Sequence, residues 1–283
     1  MLILGNAELR LELLDPADPP DQARQGARYC WGGYLWQVHD LRLGPLVAGP
    51  EFPHPTPTPF NGQGLPESFR HRTRDGRPLT WRGREGLGLG AGRLTADEKG
   101  EVSLTEPCTW HVTRGPGHLS FQTRQAGAGF SCELSREIEL RDRSVISRSR
   151  LTNAGDTALT LEWFAHPFWC LTRGEARVRL PLGTTVPDNP GFAIDRDGLL
   201  TFRRPFRTPE DSQFALLDLP AGQALRLELD HPRLSRVTFA TSFIPNECPV
   251  WANAQTLSIE PYLHLSLAPG ETRAWQIEHG FEA

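Results

Sequence analysis

The sequence predicts an all-β protein, and three observations carry that prediction. Apolar residues recur at every second position in run after run, which is the period of a half-buried strand. Few windows hold a helical spacing long enough for a helix. The chain of 283 residues also carries 25 prolines and 27 glycines, enough for many short connections.

Taken in order, Leu9, Leu11 and Leu13 alternate with charged residues. Leu134, Ile138, Leu140, Val145 and Leu151 follow the same rule, with one break after Leu134. Further runs are LTLEWFA (159–165), ALRLELD (224–230), RVTFATSF (236–243) and TLSIEPYLHLSLA (256–268). Between such runs lie NAGD (153–156), PAGQ (220–223) and APGE (268–271), which read as hairpin turns. Residues 44–92 stand apart as a loop-rich segment ending in GREGLGLGAGR. It reads as a cover on the sheet or as one wall of a site, because long ordered loops carry function disproportionately. No repeat of fixed period appears, which argues against a propeller or solenoid. All-β sandwiches often reach this length as one unit, so a single domain over 1–283 is expected.

Composition narrows the function. The formal net charge is -4 and both signs are interspersed, so neither nucleic acid nor a membrane is an expected partner. Lys99 is the single lysine among 30 basic residues. The five cysteines, Cys30, Cys108, Cys132, Cys170 and Cys248, are widely spaced with no C-x-x-C pair. That pattern predicts buried free thiols rather than disulfides or a zinc site. The N-terminal MLILGNAELRLELL lacks the basic start and long apolar core of a signal peptide, so a cytoplasmic location is expected.

Several chemistries find no motif. Gly86, Gly88, Gly90 and Gly92 do not make G-x-G-x-x-G. No Walker lysine, no G-x-S-x-G elbow and no H-E-x-x-H pair is present. No metal or organic cofactor is expected.

Two segments could carry chemistry. In LTLEWFAHPFW (159–169), Leu159, Leu161, Trp163 and Ala165 share one strand face. Thr160, Glu162, Phe164 and His166 share the other, with Phe168 and Trp169 just beyond. In TLSIEPYLHLSLA, Leu257, Ile259, Leu263 and Leu265 form an apolar face, and Thr256, Ser258, Glu260, Tyr262 and His264 a polar one. Trp251 lies just upstream. Flat aromatic rings beside polar groups suit a sugar, which has C–H faces and hydroxyl edges. An imidazole and a carboxylate on facing strands suit a general acid and base, His166 and Glu260. The bland alternatives are a hydrogen-bonded strand-end histidine and a solvated glutamate.

These segments resemble the galactose mutarotase-like (aldose 1-epimerase) superfamily. The run 136–169 is similar to that family's strand, Asn-containing turn, strand and histidine segment, matched here by His166, Pro167 and Phe168. The run 249–275 is similar to its C-terminal segment, with Ser258, Ile259, Glu260 and Pro261 matching [CS]-[IVL]-E-P. Leu267, Pro269, Gly270 and Glu271 match its final turn. The resemblance implies a large antiparallel β-supersandwich that binds a small-molecule carbohydrate and needs no cofactor. It implies interconversion of the α and β anomers by ring opening, with Glu260 as base and His166 as acid; a gap between the two wide enough for one sugar ring would favour that enzyme reading over binding alone, and side chains on opposite faces would sink it. It further implies sugar contacts from Asp211, Trp251, Phe168, Asn61 and Arg70. The first half departs from the family pattern: Gln63 stands where an arginine is expected after Asn61, and no H-G dipeptide occurs there. That departure keeps two alternatives open, a non-catalytic sugar-binding protein and a sugar-phosphate mutarotase using Arg70, Arg72, Arg74 and Arg77. Polysaccharide lyases and some glycosidases share the supersandwich but carry an added helical domain.

Overall fold

The computed structural model describes all 283 residues. It is built almost wholly of antiparallel strands, and its one α-helix is the short Pro19–Gln22. No helix is long and apolar enough to cross a membrane.

The largest sheet has ten strands. Its long hairpins come from His111–Gly115, His118–Gly127, Phe130–Arg141 and Ser144–Asn153, and the C-terminal Thr272–Glu282 lies beside the last of these. The tight turns fall at Ala128-Gly129 and at Asp142, all with positive φ, the backbone twist that a short hairpin requires. A three-stranded sheet joins Tyr262–Leu267, Leu159–Ala165 and Glu67–Phe69. A four-stranded sheet joins Trp169–Cys170, Thr256–Ile259, Cys248–Ala252 and Gln213–Leu217. These two small sheets carry the polar faces predicted from alternation.

The expected strand positions hold, but the three expected hairpin turns do not. NAGD, PAGQ and APGE each lead from one sheet into another. A turn signal fixes a change of direction; which strand is met next depends on distant pairing. At the first corner the buried Asn153 amide donates to the carbonyls of Thr157 and Leu267, each at 2.8 Å. It thereby stitches the corner to a strand far along the chain. The run 256–268 also breaks at Glu260-Pro261, and its two halves enter different sheets. Proline has no N–H for the ladder, so the break falls where the sequence permits it.

The loop-rich segment is less bare than expected. It contains Glu67–Phe69, and its glycine-rich end forms a strand, Glu85–Gly88, paired with Gly92–Ala96. Of the cysteines, Cys30, Cys132 and Cys248 are buried, Cys108 and Cys170 are half-buried, and all five are free.

A core cluster of 54 buried residues fills the interior. Leu159, Leu161, Trp163 and Ala165 enter it from the histidine strand, and Leu257 and Ile259 from the glutamate strand. Leu134, Ile138 and Leu151 meet them from the ten-stranded sheet. Through this apolar layer runs one ion pair. Arg136 of the large sheet meets Glu67 of the three-stranded sheet, with side chains only 1% and 5% exposed. Arg136 also donates to the Gly32 carbonyl at 2.6 Å, to Ser147 at 2.8 Å and to Ser149 at 3.1 Å. The other Glu67 oxygen accepts the Trp163 indole N–H at 2.6 Å. Each charge is therefore fully partnered, which is the condition under which a buried pair is tolerated.

Removing one partner should be severe. Arg136→Met is expected to lose about 3–5 kcal/mol in urea unfolding, because Glu67 is left charged and buried. Arg136→Met combined with Glu67→Leu should recover part of that loss; a single variant within about 0.5 kcal/mol of the parent would show that the pair ties nothing together.

Candidate active site

His166 is placed by its backbone. Its N–H donates to the Pro66 carbonyl at 2.9 Å, just beyond the histidine strand. Glu260 is placed the same way, its N–H donating to the Pro249 carbonyl at 2.8 Å. The two segments thus bring together residues from distant parts of the chain. His166 Nε2 lies 3.4 Å from a Glu260 carboxylate oxygen, with side chains 7% and 9% exposed. The gap of one sugar ring that would favour the enzyme reading is absent: the two side chains share one face and touch each other. The anomeric hydroxyl and the ring oxygen of an aldose are bonded to the same carbon, so an acid and a base that serve those two atoms can be close neighbours at one edge of the ring.

The ring is held on every side. Ser258 Oγ lies 3.1 Å from His166 Nδ1; with Nδ1–H donating to that hydroxyl oxygen, the neutral imidazole presents a bare Nε2 to Glu260 and can exchange a proton with it. Phe168 packs with its centroid 4.5 Å from the imidazole, Phe164 at 5.8 Å and Tyr29 edge-on at 6.1 Å. Burial pushes the imidazole well below its ordinary 6.5, and the nearby Arg28 charge adds to that push. Burial lifts the Glu260 carboxyl from 4.5 to about 7, opposed first by Arg28, then by the Ser258 hydroxyl and by Arg70 and Arg74. The Ser258 hydroxyl, accepting from Nδ1–H, has its own proton to give to the Glu260 carboxylate. Below about pH 7 the pair holds one proton, and burial favours its place on the carboxyl.

The remaining predicted residues divide. Arg70 shares the site face. Its guanidinium lies 3.9 Å over the Tyr262 ring, which in turn stacks on Phe164 at 4.1 Å. Its donors are spent on Glu162 at 2.9 Å and Glu247 at 3.1 Å. Arg74 also binds Glu247, at 2.7 Å, so two of the four arginines that the sugar-phosphate alternative would use are already paired with carboxylates. His71 turns the other way, against Phe69 and Trp81. Glu162, Glu247 and His264 have metal-ligand chemistry, but the Arg70 guanidinium already supplies their cation. Asn61 gives its amide to Glu51 and its carbonyl to the Tyr29 hydroxyl, so it supports the ring beside His166. Asp211 is bound to Arg204 at 2.7 Å and to the Arg207 N–H at 3.0 Å, and no contact joins it to the dyad. Trp251 stands opposite Ser258 in the ladder and therefore on its face.

Sequence reasoning missed Arg28. Its guanidinium lies 5.0 Å from the Tyr29 ring centroid and 4.8 Å from that of Phe60, and it makes no ion pair. It supplies a cation on the site face, the kind of group the first half of the chain seemed to lack. No local pattern marks it, because its neighbours come from an irregular loop. A surface hollow of 480 Å³ lies elsewhere, on the solvent face of the ten-stranded sheet. Of the three arginines that line it, Arg136 is bound to Glu67 and Arg148 to Glu137, and no histidine lines it.

No protein family's sequence pattern matches the chain, and no curated protein does. Solved structures do. A galactose mutarotase-like protein from Lactobacillus casei superposes with a TM-score of 0.64 at 13% identity, covering 100% of both chains. A galactose mutarotase related enzyme from Lactobacillus acidophilus gives 0.62 at 12% identity, over 100% of this chain and 97% of that one. An aldose epimerase homologue from C. elegans gives 0.56 at 14% identity, over 99% and 98%. The chain has the galactose mutarotase-like fold over its whole length, including the first half where its sequence departs most.

The raised carboxyl has a consequence for stability. Between pH 4.5 and about 7 the native Glu260 keeps a proton that the unfolded chain has released. Its contribution is present at the low end of that window and is lost as pH rises through it. Urea unfolding of the parent should therefore weaken across this window relative to Glu260→Gln. Arg28→Met should move the Glu260 midpoint, read by carboxyl carbon NMR, to higher pH; an unmoved midpoint would remove Arg28 from the site.

Proposed function

We propose that this protein is an aldose 1-epimerase, exchanging the α and β anomers of a sugar by opening and closing its ring. The observation that carries the proposal is the His166–Glu260 pair, 3.4 Å apart, with Ser258 Oγ 3.1 Å from the other imidazole nitrogen. The fold similarity supports the same reading.

The reaction is a matched pair of proton transfers. Glu260 as carboxylate takes the proton of the anomeric hydroxyl, and the O–H electrons form the aldehyde C1=O bond. The bond between C1 and the ring oxygen breaks, its electrons stay on that oxygen, and His166 supplies the proton from Nε2. Rotation about C1–C2 and the reverse transfers close the ring on the other face. Ring opening leaves the proton on the carboxyl and the imidazole neutral. Burial favours that same arrangement in the empty site, so the pair is poised for the open-chain intermediate. To begin, one proton must cross from Glu260 to Nε2, a short transfer at this separation. Trp251 offers an apolar face near the pair, Phe168 backs the imidazole from within, and the Arg28 charge favours the carboxylate when the base is needed.

A second reading, sugar binding without turnover, is favoured by the burial of both groups and their direct contact with each other. The two readings separate in one experiment. Saturation transfer between the α and β H1 signals should be strong with the parent and a suitable aldose. It should fall by about 10²-fold or more in Glu260→Gln and in His166→Asn. Sugar-induced shifts without exchange in the parent would leave only the binding reading. The exchange rate should also decline as pH rises through about 7, where the pair loses its one proton and no acid remains.

A further inference from the structure

Phe214 is 46% exposed, although it lies within a strand. It stands opposite Trp251, and Trp251 stands opposite Ser258. Directly opposed residues of antiparallel strands point to the same side of the sheet. Phe214, Trp251 and Ser258 therefore form one row across three strands, spaced by about 4.8 Å per strand. The inner end of that row is fixed at the reacting pair, since Ser258 lies 3.1 Å from His166. Its outer end lies two strand spacings away, at an aromatic ring left in water. One sugar ring at the pair does not span that row.

The outer end also has a fixed polar group. The Arg74 guanidinium lies 5.4 Å from the Phe214 centroid. Two hydrogen bonds to Glu247, at 3.0 and 2.7 Å, hold it through Nε and Nη2. Its Nη1 is left without a protein acceptor and can donate to a hydroxyl. An apolar face with one immobilised donor beside it is the combination that recognises a sugar ring. In an aldose bound with C1 at the His166–Glu260 pair, C4 lies across the ring from the reacting edge. A substituent on O4 leads away from the pair, along the row.

We propose that Phe214 and Arg74 form a second saccharide subsite, so that the sugar undergoing anomer exchange is the reducing end of a disaccharide or longer chain. This rests on the epimerase reading for the reaction, but the subsite itself can be tested by binding alone. The probes are glucose and galactose against the 4-linked disaccharides cellobiose, maltose and lactose. Exchange and binding are each followed by NMR with the parent, Phe214→Ala, Phe214→Trp and Leu182→Ala. Leu182 is an exposed apolar side chain in a different loop and controls for surface truncation. The parent should favour at least one disaccharide over its monosaccharide. In Phe214→Ala that preference should fall by about tenfold, the scale of one lost aromatic contact. Phe214→Trp should retain it, and Leu182→Ala should not alter it. Disaccharide preference that is absent in the parent, or unchanged in Phe214→Ala, overturns the subsite. If no sugar exchanges but a Phe214-dependent preference persists in binding, the subsite stands and the epimerase reading fails.

Discussion

The Arg136–Glu67 pair is the constraint from which the candidate site takes its position. Glu67 faces Ala165 in the ladder, and the residue before it, Pro66, accepts the N–H of His166. Arg136 belongs to the ten-stranded sheet, so the pair sets the depth at which the histidine strand sits against that sheet. Hydrophobic packing alone would leave this placement looser, because an apolar layer tolerates small slides that a bidirectional polar network does not. Trp163, which donates to Glu67, also packs edge to face at 5.3 Å against Trp275 of the large sheet. The same tie is thus made twice, once by charge and once by aromatic contact.

Above that tie, burial creates the site's chemistry. A solvated histidine and glutamate at this distance would form an ordinary ion pair. Here desolvation opposes both charges and leaves the pair sharing one proton, which is the form that can give and take at adjacent atoms. The flanking prolines contribute to this. Pro167 and Pro261 end the ladders immediately after His166 and Glu260, so both side chains stand where the sheets stop.

Much of this arrangement was legible in the sequence, and what was not has a common cause. Strict alternation gave the two faces of 159–165 and of 256–268, and the structure keeps both. The pairing of His166 with Glu260 followed from those faces together with the family resemblance. The three turns were misread because a Gly- or Pro-containing corner looks the same whether the next strand returns beside the last or joins another sheet. Asp211 was placed by analogy, and its local arginine claims it. Arg28 and Phe214 gave no signal, because their importance comes from what faces them across the fold: a loop around Phe60 in one case, and two ladder registers in the other. A single residue in an irregular segment, or one more apolar side chain in a strand, carries no mark of its eventual neighbours.

The distribution of charge around the pair shows which part of the chain controls it. Arg70 and Arg74 share Glu247, and Arg70 also meets Glu162, so the sheet's own arginines present little net field. Arg28 has no such carboxylate. Its charge reaches His166, Glu260 and Tyr262 together, lowering the first further and opposing the rise of the other two. The rigid sheets therefore fix distances, while the proton balance is governed by one side chain on the segment before Tyr29. That segment is held by Phe60 and Asn61 of the long loop, through the Tyr29 hydroxyl. A substitution in the loop can thus change the acidity of Glu260 without touching it. The acidity of the pair is coupled through one guanidinium to the packing of the long loop, although His166 and Glu260 themselves stand at the ends of sheet strands.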